Sequence, residues 1–216
     1  MTLFNDLINY IMHLDTNLLS IINYFGHWAY VIVFTIIFLE TALVLTPFLP
    51  GDSLIFASGA LAGIGVWNVW ILFLLLTFAA IIGDTVNYSI GKFIGPRVFK
   101  YESKLLNKEY LDKTRNFFEK YGSKTIIIAR FIPIIRTFAP FLAGVGQMNY
   151  FKFLLYNIIG GLFWVGFFLW GGYFFGNIPF VKEHFTFIIL AIIIISLIPA
   201  GLEFYRHWKE NKRKNK

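Results

Sequence analysis

The sequence predicts an all-α integral membrane protein, an inverted repeat with two opposed re-entrant helical hairpins plus transmembrane helices. Three observations carry this reading. Of 216 residues, 57% are hydrophobic and 14% charged, with 26 Phe, 11 Tyr and 6 Trp, and the mean hydropathy is +0.66; a soluble domain of this size has no use for so much apolar surface. The 19 Lys and Arg are bunched, nine between Lys92 and Lys124 and six between Arg206 and Lys216, which the positive-inside rule assigns to the cytoplasmic face. Finally, two proline-broken apolar stretches carry charge: Glu40 and Asp52 in "FLETALVLTPFLPGDSL", and Arg130 and Arg136 in "RFIPIIRTFAP".

The elements follow in chain order, as one membrane domain over residues 1–216. Residues 1–25 form a helix that either lies on the membrane or spans it; with no Lys or Arg, the segment lacks the basic start of a cleavable leader, and the chain is expected to stay whole. Residues 27–66 read as the first hairpin: an apolar approach, Glu40, the bends Pro47, Pro50 and Gly51, then Asp52 and a second apolar arm. Residues 67–91 make a full span. Residues 92–124 form a basic cytoplasmic loop in which Leu106, Tyr110, Leu111, Phe117, Phe118 and Tyr121 recur at near-helical spacing among Lys108, Lys113, Arg115 and Lys120. This is an interfacial amphipathic helix, stopped at Gly122.

Parity decides the next segment. With both basic clusters inside, the chain crosses an even number of times between Lys124 and Arg206, and residues 151–176 and 184–205 already supply two spans. Residues 125–148 therefore enter and leave by one face as the second hairpin, with bends at Pro133, Pro140 and Gly144. Residues 206–216 are a basic cytoplasmic tail. Each half reads as a helix, a broken hairpin and a span in opposite orientation, a plan that places a binding site at mid-membrane.

The four charges are then expected to meet. An isolated charge at the bilayer centre costs at least about 2.5–3.5 kcal/mol, so Glu40, Asp52, Arg130 and Arg136 must be paired or wet. Two salt bridges that merely clamp the hairpins are one reading, although buried pairs are seldom better than apolar packing. The functional reading gives each residue a task. Arginine offers a permanently charged planar fork that fits phosphate, which makes Arg130 and Arg136 the substrate-binding pair. Burial makes a carboxylate harder to ionise and a nearby arginine makes it easier, so Glu40 and Asp52 are the proton-coupling pair.

Asp84, within a span, is expected either to pack with Asn87 and Tyr88 or to line the path, the three supporting the site from behind. Gly91 and Gly95 read as close helix packing. Trp28, Trp67, Trp70 and Trp208 read as belt residues at headgroup level. The four His show no metal-ligand spacing and there is no Cys, so no metal, cofactor or disulfide is expected; no nucleophile cluster points to an enzyme. The basic tail reads as an orientation signal, not as a nucleic-acid site.

The blocks "FLETALVLTPFLPGDSL", "GDTVNYSIGKFIG" and "RFIPIIRTFAPFLAGVGQMNYFKF" resemble the signature blocks of the DedA family of bacterial membrane proteins, in the superfamily of VTT or SNARE-associated domains. The resemblance covers about Gly26 to Gly176. It implies two opposed re-entrant hairpins, a multi-pass place in the bacterial plasma membrane with a cytoplasmic C-terminus, and lipid movement. Members are linked to undecaprenyl phosphate recycling and to phosphatidylethanolamine distribution. The family's essential acidic and arginine pairs fall on Glu40 and Asp52 and on Arg130 and Arg136. The expected function is a flippase or scramblase for a phosphate-bearing lipid, first undecaprenyl phosphate, with proton coupling. Translocation of phosphatidylethanolamine or general phospholipid, and proton-coupled transport of small solutes, are the alternatives; oligomeric state is open, a homo-oligomer included.

Overall fold

The structure, a computed structural model, describes Gly26 and residues 28–43, 51–94 and 108–183. The predicted N-terminal helix, Pro47, Pro50, Gly95, the last span and the basic tail lie outside the described residues. All described elements are helical: α1 (Trp28–Ala42), α2 (Gly51–Gly63), α3 (Val69–Ile94), α4 (Lys108–Tyr121), a 3₁₀ turn (Gly122–Lys124), α5 (Thr125–Ala129), α6 (Pro133–Val145), α7 (Tyr150–Gly176) and α8 (Pro179–Glu183).

Two helices, α3 with 26 residues and α7 with 27, are long and apolar enough to cross a bilayer. Each starts on an asparagine. The Asn68 side chain accepts from the amides of Trp70 (2.9 Å) and Ile71 (3.2 Å), and that of Asn149 from the amide of Lys152 (3.2 Å). By contrast α1, α2 and α6 have 15, 13 and 13 residues, too short to cross alone. Between α4 and α5 the chain turns at Gly122, whose φ of +57° is the left-handed conformation that ends a helix.

The second broken element splits at Arg130–Ile132. Pro133 occupies the first turn of α6, where its missing N–H leaves no bond unmade. Pro140 corrects the sequence reading, because it lies inside α6 and makes no break. It offers no N–H to the carbonyl one turn earlier, yet the helix continues. Packing on α3 holds it on both sides: Asn87 donates to the Thr137 carbonyl (2.9 Å), and Phe141 rests on Gly91. Gly144 is likewise a packing residue, pressed on the Tyr88 backbone.

The halves interlock. The second arm of each broken element packs on the long helix of the other half, α2 on α7 and α6 on α3. Both seams use one device: a glycine on each helix faces the carbonyl three residues before the partner's glycine. Gly59 faces the Leu169 carbonyl while Gly172 faces that of Phe56; Gly91 faces the Phe141 carbonyl while Gly144 faces that of Tyr88. A Cβ at any of the four would overlap the opposing carbonyl oxygen. One core gathers Ile37, Ile55, Leu72, Leu76, Trp164 and Leu169, and a second gathers Tyr88, Ile126, Ala129 and Phe153. The polar residues lie where these cores adjoin.

Candidate functional site

Five charged side chains converge between the two cores, in two groups. The first is centred on Arg136, one turn into α6. Its Nη1 donates to Asp52 Oδ1 (2.5 Å) and its Nη2 to Glu40 Oε1. Glu40 comes from the last turn of α1 and Asp52 from the first turn of α2, so Arg136 holds two helices together by one guanidinium fork. Glu40 and Arg136 are buried, whereas Asp52 is 34% exposed.

The second group is centred on Arg130, at the break between α5 and α6. Its Nη2 donates to Asp84 on α3 and to Asn157 Oδ1 on α7 (2.5 Å). The Asn157 amide in turn donates to the Ile81 carbonyl at 3.0 Å. Both partners of the salt bridge are sealed, at 2% and 3% exposed. The glycines Gly160 and Gly161 make room for the arginine: a Cβ on Gly160 would lie 3.1 Å from Arg130 Cδ and Nε.

Trp164 connects the groups. Fully buried on α7, its ring lies 5.0 Å from the Arg136 guanidinium carbon and 5.7 Å from that of Arg130, within cation–π reach of both. Its indole N–H donates to Asp52 Oδ1 (2.9 Å), the oxygen that also accepts from Arg136. Donors remain unused: Arg130 Nε and Nη1 and Arg136 Nε are buried without a hydrogen-bond partner. Buried donors of this kind are a standing demand for an acceptor.

The predicted site residues thus fall into place unevenly. Glu40, Asp52 and Arg136 form one cluster. Arg130 does not share the carboxylates of the first broken element; it takes Asp84, which is an ion-pair partner in its own right. Asn87 bridges the halves, donating to the carbonyls of Thr41 (3.2 Å) and Thr137 (2.9 Å). Tyr88 points away, stacked on Phe153 at 4.4 Å and donating to the Met148 carbonyl. Gly51 touches the site directly, since a Cβ there would overlap the Glu40 carboxylate. Asn157 and Trp164 were not foreseen. Among the described residues, no group of three His, Asp or Glu converges to hold a metal ion.

Asp52 also faces outward. With Ser53, Phe56, Phe168 and Phe175 it lines an open groove of about 380 Å³ beside the α2–α7 seam. Its walls are almost wholly apolar.

The VTT domain family matches residues 49–174 of the chain. Protein DedA of Escherichia coli K12 is 50% identical over 204 residues, 93% of each chain. An uncharacterized membrane protein of Mycobacterium leprae is 43% identical over 179 residues, 82% of this chain and 80% of the relative. The inner membrane protein YghB of Escherichia coli K12 is 34% identical over 178 residues, 80% of each chain. No solved structure matches.

Proposed function

The chain belongs to the DedA family of membrane proteins, and from that premise we propose that it is a lipid translocase, moving a lipid with a phosphate headgroup between leaflets, undecaprenyl phosphate first among the candidates. The observation that carries this reading is Asp52: half of the acid pair on Arg136, it also borders an apolar groove. A solute carrier needs an aqueous vestibule, whereas a lipid needs a headgroup site that opens sideways onto hydrocarbon, with its chain left in apolar surroundings.

Phosphate and carboxylate want the same fork. In the described arrangement Arg136 gives Nη1 to Asp52 and Nη2 to Glu40, so a phosphate must displace an acid to take the fork. The five clustered charges sum to one net negative, so an anionic headgroup is repelled until a proton neutralises a carboxylate. Protonation of Glu40 or Asp52 weakens its hold on Arg136 and releases donors to phosphate, and deprotonation returns them. Carrying an anion inward against an inside-negative potential costs about 2.3 kcal/mol per charge per 100 mV, and a proton that travels with it offsets this. Arg130, fixed at one nitrogen, contributes its unused Nε and Nη1.

The broken elements are read as re-entrant hairpins related by an inverted repeat, in a multi-pass protein of the bacterial plasma membrane with its C-terminus in the cytoplasm. The matched glycine seams and the asparagine starts of α3 and α7 support that symmetry. The test is a leaflet-exchange assay in proteoliposomes with an anionic phosphate lipid and with phosphatidylethanolamine, with and without a pH gradient. Exchange of the anionic lipid should follow the gradient and that of the zwitterionic lipid should not. Gradient-independent exchange of both would reject the coupling, and no exchange of either would reject the function.

A further inference from the structure

Trp164 has no reason in lipid chemistry to be where it is. Tryptophan in a membrane protein favours the headgroup level, where its N–H is wet. Trp164 is instead midway along α7, fully buried, between the only two guanidinium groups among the described buried residues. Its N–H is satisfied by one acceptor, Asp52 Oδ1 at 2.9 Å. That oxygen is also the one that Arg136 holds.

We propose that Trp164 is a positioning residue that keeps Asp52 in the site when a phosphate takes Arg136. This inference rests on the headgroup reading given above and adds what becomes of the displaced acid. Glu40 is enclosed by α1 and Gly51 and has nowhere to go when Arg136 lets go. Asp52 is different. It is 34% exposed and borders an apolar groove, so a carboxylate freed from Arg136 can turn outward, and in hydrocarbon an unpaired charge is expensive. The indole N–H supplies a second donor that does not depend on Arg136. Asp52 therefore stays beside the headgroup, ready to reclaim the arginine. The ring keeps both guanidinium groups on one aromatic body while their acceptors change.

The test is a double-mutant cycle on the full chain in detergent, with octyl phosphate as the probe. In Trp164→Phe the ring remains and the N–H is lost, so displacing Asp52 leaves it without a donor. Octyl phosphate binding should weaken about tenfold, the scale of one hydrogen bond to a charged group. In an Asp52→Asn background the same substitution should change binding by no more than about twofold, because the amide carries no charge that needs the donor. Equal losses in both backgrounds would show that Trp164 only fills space, and no loss in either would show that it positions nothing; both overturn the proposal.

A second measurement needs no phosphate. With nitrogen-labelled tryptophan, the Trp164 indole N–H signal is assigned by its disappearance in Trp164→Phe. Asp52→Asn should move it most, and Arg136→Gln, which removes the cation 5.0 Å from the ring, should move it less. If Arg136→Gln moves it as far as Asp52→Asn does, the anchor depends on the arginine and the inference fails. If octyl phosphate does not bind the wild type while the signal behaves as stated, the headgroup reading fails and the anchor stands.

Discussion

Arg130 and Arg136 lie six residues apart on one broken element, and their surroundings differ in every respect that matters for exchange. Arg130 is held through a single nitrogen by Asp84 and Asn157, on two long helices, in a fully sealed pocket. Arg136 spreads its fork over Glu40 and Asp52, which belong to the two short helices α1 and α2, and one of these acids reaches the groove. The first arrangement ties rigid elements to each other. The second ties together two short helices, through one acid that is partly exposed. The lesson is that two identical cations can divide into an anchor and a handle according to who supplies the acid.

The largest effect should fall on the anchor and on folding. Removing one partner of a buried pair leaves an uncompensated charge and costs about 3–5 kcal/mol. Asp84→Asn and Arg130→Gln should each lower the midpoint of thermal unfolding in detergent, and the double variant should be more stable than the sum of the two losses implies. Simple additivity would mean that the pair is not a unit. The next effect falls on the handle and on transport. Arg136→Lys keeps the charge but cannot reach Glu40 and Asp52 with a planar fork. Leaflet exchange of the anionic lipid should drop roughly 10- to 100-fold per folded protein, the scale of one or two hydrogen bonds to charged groups. A normal rate would remove Arg136 from the path.

The membrane character, the helical class and the charged residues that the structure brings together were legible because polarity in lipid is costly and so conspicuous. Glu40, Asp52, Arg130 and Arg136 each announce themselves in this way, and Asn157, an amide inside α7, carried the same signal unheeded. What local sequence does not contain is which acid meets which base. Asp84 and Arg130 are 46 residues apart, and their meeting depends on α6 packing along α3. Trp164 gave no polarity signal; its depth in the span was the clue, since belt tryptophans sit at the ends. Pro140 misled because a proline is a local rule that tertiary packing on α3 overrides. Gly144 reads as a bend, whereas inside α6 its use is close approach to α3.

The central claim, that the acids on Arg136 carry the coupling while the acid on Arg130 does not, is tested most directly by one set of exchange measurements. Glu40→Gln, Asp52→Asn and Asp84→Asn are reconstituted at equal amounts of folded protein, and exchange of an anionic phosphate lipid is followed with and without a pH gradient. The account predicts that Glu40→Gln and Asp52→Asn lose the response to the gradient, being fixed in a protonated likeness, while Asp84→Asn retains it in whatever fraction folds. A gradient response that survives in Glu40→Gln and Asp52→Asn and vanishes in Asp84→Asn would contradict it.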